Sequence, residues 1–374
     1  MCATASLHKK MRWDIFCKIV DNFGDIGVCW RLAKQLQAEH HVNICLWVDD
    51  LSVAQKLIPD LNIAAQTQVI NHITICAWHE HTTFNQAADV VIEGFSCTLP
   101  AAYISLMRSD TVWINLEYLS AEPWVAGFHA GSGKHAELTR HFFFPGFTEA
   151  TGGLIREADT THAMRHFNAN SNDNQNEDSS LKISLFAYPH APIADLLEVL
   201  THRTQAIDCY VPTSNIFNKI ADFFGNQNIH IGDTLTRGNL HVHLLPFLSQ
   251  DDYDQLLRSC DLNFVRGEDS WIRAIWAGKP FIWLPYWQTE NTHTTKLNAF
   301  LALFYANFNQ KQVVCEAHQY WLSGHVPQQV WQRYLHHLPA ISTFTLQQAK
   351  QLATHTDLAT KLVIFSEKIV RNQV

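Results

Sequence analysis

"LLRSCDLNFVRGEDSWIRAIWAGKPFIWLPY", residues 256–286, decides the fold. A helical pattern leads to a short continuous apolar run at Asp261–Val265, then to the turn Arg266-Gly267-Glu268-Asp269-Ser270. A helix follows over Ser270–Ala277; Gly278 ends it, Pro280 restarts the chain, and Phe281–Leu284 is a second apolar run. Short apolar runs joined by helices indicate parallel strands buried on both faces. Gly267 permits a tight turn, and Asp269 or Ser270 can N-cap the helix. The free N–H groups and the helix dipole suit an anion such as a diphosphate, and Arg266 adds a fork of donors. Spacing alone also allows a plain capped helix with a surface Arg pair.

Working outward, the same alternation fills the chain. Strands are expected at Trp13–Val20, Val42–Val48, Ile73–Trp78, Ala88–Phe95 and Val112–Glu117, with helices at Ile26–Glu39, Ser52–Leu57 and Leu99–Met107. Residues 166–180 are rich in Asn, Asp and Ser, too polar to bury a core, and form a linker. Strands resume at Leu181–Tyr188, Ala206–Val211 and Leu240–Phe247, with helices at Ile193–Thr201, Asn215–Phe224 and Asp251–Ser259. The expected organisation is an α/β chain of two Rossmann-like domains, 11–165 and 181–345, with a C-terminal helix in 346–374 crossing back to the first. Ligands in such sheets bind at the carboxyl ends of strands, and two such domains facing across a cleft would share one substrate.

Composition narrows the function. The formal net charge of −8 argues against binding nucleic-acid phosphates, which takes clustered Lys and Arg. Nine cysteines, an odd number with no C-x-x-C spacing, indicate reduced thiols of a cytoplasmic protein. No run approaches the ~20 apolar residues of a membrane span. Residues 1–10 form a leader without the apolar core of a signal peptide.

A second polar turn, Asp21-Asn22-Phe23-Gly24-Asp25, joins the first strand to the first helix. Its two carboxylates suit three tasks: capping the helix, holding a cation or ribose, or taking a proton. Glu117 also sits at a strand end, where site residues gather or a rim acid meets backbone or Arg. His79/His81 and His241/His243 share strand faces in pairs, but two ligands make an incomplete metal site. Arg31 and Arg273 are expected on solvated helix faces.

Residues 256–286 resemble the nucleotide-sugar half of GT-B glycosyltransferases, in which a turn, an acid and a helix leading into Gly-Lys-Pro hold a nucleotide diphosphate. Adding the turn 21–25, "NLEYLSAE" (115–122), "FAYPHAP" (186–192) and "LPFLSQDDYDQLL" (246–257), the chain resembles the arginine rhamnosyltransferases of bacterial elongation factor P over nearly all residues after 12. The resemblance implies transfer of L-rhamnose from dTDP-β-L-rhamnose to one arginine of elongation factor P, with inversion and with no metal or other cofactor. It places the base on Asp25, a supporting acid on Asp21 and a catalytic glutamate on Glu268. The acceptor turn adds Asn22, Phe23 and Gly24. Phe186, Tyr188, Phe247 and Gln250 would hold thymine and ribose, and Arg266, Asp269 and Ser270 the diphosphate. Pro189 departs from the pattern and puts the path of 188–192 in question.

The chemistry agrees with these residue types. A guanidinium stays protonated below pH ~12, so its acceptor site must hold a cation and receive a proton, which carboxylates do. Two other readings stay open: a GT-B enzyme with another sugar nucleotide or a small-molecule acceptor, and a non-catalytic binder of a translation factor.

Overall fold

The computed structural model describes residues 11–21, 23–160 and 180–373. The expected leader, most of the expected linker and Asn22 lie outside the described residues. The chain forms two compact units. Residues up to Leu119, Trp124–Ile155 and those from Thr356 onward make the first; Ser120–Pro123 and Arg156–His355 make the second.

The first unit is built on strands β1 (Arg12–Cys17), β2 (Asn43–Val48), β3 (Thr67–Ile70), β4 (Ile73–Ala77), β5 (Val90–Gly94), β6 (Val112–Leu116), β7 (Ser132–His135) and β8 (Leu138–Phe143). They lie in the order β3-β4-β2-β1-β5-β6-β8-β7. The inner six run parallel, and β3 and β7 close the edges antiparallel. Trp13 of β1 stands opposite Ile44 on one side and Val90 on the other.

The central strands β1, β5 and β6 are buried on both faces and so are mostly apolar rather than alternating. Trp13, Ile15 and Cys17 enter one core with Ile26, Cys29, Ala33 and Leu36 of the helix α1 (Gly24–His40). Leu358, Ala359 and Leu362 of the last helix, Leu358–Gln373, join the same core. Phe16 points the other way, into a cluster with Val91, Tyr103 and Trp113. The C-terminal segment is thus not one helix from 346. Leu338–Leu352 ends in the second unit and a separate helix starts at Leu358, whose N–H donates to the Leu154 carbonyl.

The second unit carries β9 (Leu181–Leu185), β10 (Ile207–Pro212), β11 (Thr234–Arg237), β12 (Leu240–Leu245), β13 (Leu262–Arg266) and β14 (Phe281–Leu284). Their order is β11-β12-β10-β9-β13-β14, parallel except for the β11 edge. Helices Ile193–Thr201, Phe217–Phe224, Gln250–Ser259 and Asp269–Ala277 connect these strands. Among the described residues, no helix is long and apolar enough to cross a membrane.

Each sheet has one point where the strand order reverses. In the first unit the chain winds outward from β1 to β2 and β4, then returns to lay β5 on the other side of β1. In the second it winds from β9 to β10 and β12, then returns to lay β13 beside β9. Crossovers leaving in opposite directions part the loops at the carboxyl ends of those two strands, and ligands enter there.

At the first such point the backbones are very close. A Cβ on Gly94 would stand 2.7 Å from the Phe16 carbonyl oxygen and 3.3 Å from Cys29 Sγ. Gly94→Ala is expected to lower stability by ~1–3 kcal/mol as β5 is forced off β1. Urea unfolding at unchanged midpoint would show that this junction tolerates a methyl group.

Candidate functional site

The loop from β1 to α1 takes its shape from carboxylates. The Ile19 N–H donates to Asp49 Oδ1 (2.9 Å), which follows β2. The N–H groups of Val20 and Asp21 both donate to Asp25 Oδ2, at 2.7 and 2.9 Å. Asp25 therefore reaches back from the first turn of α1 and folds the preceding loop around itself. The Tyr118 hydroxyl donates to the other oxygen, Oδ1, at 3.3 Å. Asp25 is 2% exposed. The helix is capped by Phe23, with no side-chain bond, and the Gly24 N–H donates to the Asp21 carbonyl at 2.7 Å. Neither aspartate caps the helix by its own side chain at the N-cap position. Asp21, Phe23 and Gly24 are half-buried beside Asp25.

Loops after β5 and β6 complete this edge. Tyr118 stacks on Phe95 (4.5 Å, 17°). Phe95, Ser96 and Thr98 all adopt positive φ, at 56°, 55° and 60°. Ser96 N–H donates to Asn115 Oδ1 (3.2 Å), and its hydroxyl donates to Glu117 Oε1 (3.4 Å). Burial pushes the Glu117 carboxyl above its usual range. Below it Glu93 accepts from the Trp113 indole N–H (3.0 Å) and pairs with Arg140 (3.1 Å). Glu117 is thus tied to side chains of its own unit, and it borders the Asp25 loop through the adjacent Tyr118.

The edge of the second unit is cationic where the first is acidic. β13 ends at Arg266, whose guanidinium carbon lies 4.2 Å from the centre of the Phe186 ring and 4.7 Å from that of Tyr188. Its Nη1 donates to the Ala187 carbonyl at 3.4 Å. Phe186 and Tyr188 follow β9, so the two strands that flank the reversal bring these three residues together. Sequence reading assigns the rings to a base and the arginine to phosphate; the structure puts the arginine against the rings themselves.

Gly267 then turns at φ 61°, a conformation that costs other residues dearly. Its carbonyl accepts from the Trp283 indole N–H at 2.7 Å, and its N–H donates to the Leu284 carbonyl at 3.2 Å. β14 thereby pins the turn. Trp283 stacks on Trp271 at 3.6 Å and 9°, one turn into the following helix. The N-cap of that helix is Glu268, without a side-chain bond, rather than Asp269 or Ser270. Ser270 instead closes the turn: its hydroxyl donates to the Arg266 carbonyl and accepts from the Arg266 N–H (3.0 Å). The N-cap residue itself makes no side-chain bond to this helix, and helix N-termini in general suit anions.

Phe247 follows β12 and is half-buried, and Gln250 opens the helix Gln250–Ser259 and is buried. That helix is locked to the helix Asp269–Ala277 by Arg273. The guanidinium is 4% exposed, not solvated as sequence spacing suggests. It forks onto Asp254 (Nε–Oδ1 3.0 Å, Nη2–Oδ2 2.6 Å) and also reaches Glu157 (2.5 Å) and Thr160 (2.9 Å). Arg31 is likewise buried. The histidine pairs are engaged in part: His243 bonds Asp208 (2.8 Å) and Thr234 (3.0 Å). Among the described residues no three His, Cys, Asp or Glu side chains converge on one point.

Known proteins resemble this chain in sequence and in fold. Residues 13–367 match the family model described as "Elongation-Factor P (EF-P) rhamnosyltransferase EarP". A protein-arginine rhamnosyltransferase of Pseudomonas putida is 40% identical over 371 residues, covering 95% of this chain and 98% of the relative. One of Shewanella oneidensis is 35% identical over 391 residues, covering 95% and 98%. The solved structure described as "Structural basis for EarP-mediated arginine glycosylation of translation elongation factor EF-P" aligns with a TM-score of 0.67 and 32% identity, covering 96% of this chain and 99% of that one.

Arg273→Ala would remove the guanidinium that joins Asp254 and Glu157. A loss of ~3–5 kcal/mol is expected, as for other broken buried pairs. Arg273→Lys keeps the charge but not the fork and should recover only part of it. Urea unfolding of both variants checks this; equal stabilities of Arg273→Ala and the parent would contradict it.

Proposed function

The chain belongs to the elongation factor P rhamnosyltransferase family, and we propose that it moves L-rhamnose from dTDP-β-L-rhamnose to an arginine side chain of elongation factor P in the cytoplasm, with inversion and without a metal. The observation that carries the reading is the pairing of chemistries at the two strand reversals: an acid held by three donors in one unit and an anion cradle in the other. The first suits a cationic acceptor, the second a diphosphate leaving group.

On this reading Asp25 is the base. Oδ2 is occupied by the Val20 and Asp21 amides, which fix the carboxylate, and Oδ1 serves the acceptor. The Tyr118 hydroxyl, at a long 3.3 Å, gives way to a guanidinium N–H, a charge-assisted bond that is stronger. Asp21 supports it, and Phe23 and Gly24 line the turn. Inversion sets the base and the leaving group on opposite faces of the sugar. As the glycosidic bond breaks, the new C–N bond forms and the proton passes to Asp25. The diphosphate departs toward Arg266, the Asp269 and Ser270 N–H groups and the positive end of the helix dipole, which spread its charge. Glu268, at the mouth of this turn, orients donor and acceptor. Phe186, Tyr188, Phe247 and Gln250 hold the nucleoside.

The test is intact-mass spectrometry of elongation factor P incubated with the protein and dTDP-L-rhamnose. Addition of one deoxyhexose to an arginine is expected, and Asp25→Asn should slow it by ~10²–10⁴-fold while nucleotide affinity stays near that of the parent. No added mass would leave the chain a binder of its partner. Thermal stabilisation by UDP or GDP exceeding that by dTDP would assign a different donor.

A further inference from the structure

The carboxyl edge of the second sheet continues past Arg266 to β14, whose exit places Tyr286 and Trp287 next in line. Trp287 is 57% exposed, yet it is not loose. Its ring stacks on His293 (4.6 Å, 27°) and meets His190 at right angles (5.3 Å, 79°). His293 is buried and its Nδ1 engages the Gln288 carbonyl at 3.1 Å, which anchors the stack from behind. His190 lies parallel to Tyr188 (5.5 Å, 10°), and Tyr188 carries the Arg266 guanidinium. A row of plates thus runs from Arg266 through Tyr188 and His190 to Trp287.

Burial, His293, Lys219 and Arg266 all hold the His190 imidazole below its ordinary value, so at neutral pH it packs as an uncharged plate. An indole held in place by two other rings, but left more than half in water, offers a rigid apolar surface at low entropic cost to whatever covers it. It stands on the same strand edge as the anion cradle. A ligand anchored there by its diphosphate would extend a pyranose along this edge. One face of a pyranose is a patch of C–H groups, and in a 6-deoxy sugar a methyl replaces the hydrated hydroxymethyl, so the apolar surface is larger.

We infer that Trp287, backed by His190 and His293, is a stacking shelf for the donor sugar and favours a 6-deoxyhexose over a hexose. The inference rests on the donor reading above and adds the residue that selects the sugar. It is tested by calorimetric titration of the full chain and its Trp287→Ala and Trp287→Phe variants with dTDP, dTDP-L-rhamnose and dTDP-glucose. Trp287→Ala is expected to lose about tenfold in affinity for dTDP-L-rhamnose, less for dTDP-glucose and nothing for dTDP, with Trp287→Phe in between. Unchanged dTDP affinity also shows that the variant is folded. Equal weakening of all three ligands would overturn the inference, as the ring would then serve the nucleotide. So would unchanged binding of dTDP-L-rhamnose. If the parent protein binds none of the three, the donor reading falls, and this inference with it.

Discussion

A parallel sheet wound in two directions from one strand has to open at that strand's carboxyl end, and in each unit that constraint places several of the residues of functional interest. The strands involved, β1 with β5 and β9 with β13, are buried on both faces, and the polar side chains Asp14, Glu93, Ser184 and Asn263 within them are buried too. Ser96 and Glu117 in one unit, and Tyr188, Arg266 and Ser270 in the other, lie at or within four residues of a strand end, and Asp25 lies in the first turn of the helix after β1. The rigid sheet fixes where these residues stand, and the loops choose what they are.

Holding polar groups at such an edge takes buried pairing, because an isolated buried charge is costly. The two units meet this need differently. In the first, carboxylates take backbone N–H groups: Asp25 accepts from Val20 and Asp21, Asp49 from Ile19, and Glu93 from Thr98 (3.1 Å). Each acid thereby shapes a loop. In the second, arginines do the corresponding work: Arg266 lies on two aromatic rings, and Arg273 joins two helices and the segment after Ile155. The Arg273 fork links the helix that starts with Gln250 to the helix that starts beside Ser270. Changes at Arg273 therefore reach both helices at once.

The two-domain α/β architecture and the identity of the two turns are legible in the sequence because buried parallel strands are continuous apolar runs, and Gly267, Gly278 and Pro280 mark the turns around them. Ile193–Thr201 and Phe281–Leu284 fall where the pattern puts them. The errors have physical causes. The edge strands Thr67–Ile70, Ser132–His135 and Thr234–Arg237 are missed because exposed edges need no apolar run. The run Trp13–Val20 overshoots β1 because Ile19 and Val20 turn their N–H groups to carboxylates instead of to a neighbouring strand. Arg273 is misread because Glu157 is 116 residues away and no local spacing reveals it. Tyr118 and Trp283 act through single hydrogen bonds, to Asp25 and to the Gly267 carbonyl, which spacing does not encode.

The two turns also differ in how they hold unusual backbone. In the second unit the left-handed residue is Gly267, which adopts φ 61° freely, and Trp283 merely keeps it there. In the first unit Phe95, Ser96 and Thr98 adopt the same region without being glycine, at a cost of order 1–3 kcal/mol each. Such a run persists only where surrounding contacts over-determine it. Here they do: the Phe95 N–H donates to the Leu116 carbonyl at 2.7 Å, its ring stacks on Tyr118, Ser96 bonds Asn115, and the Thr98 N–H reaches Glu93. The result of that expense is the position of one aromatic ring. Phe95 backs Tyr118, and Tyr118 sets its hydroxyl against the Asp25 carboxylate. Relaxing the 95–98 segment to ordinary φ would withdraw that support, so the strain in this loop and the geometry of the buried acid are one feature of the fold.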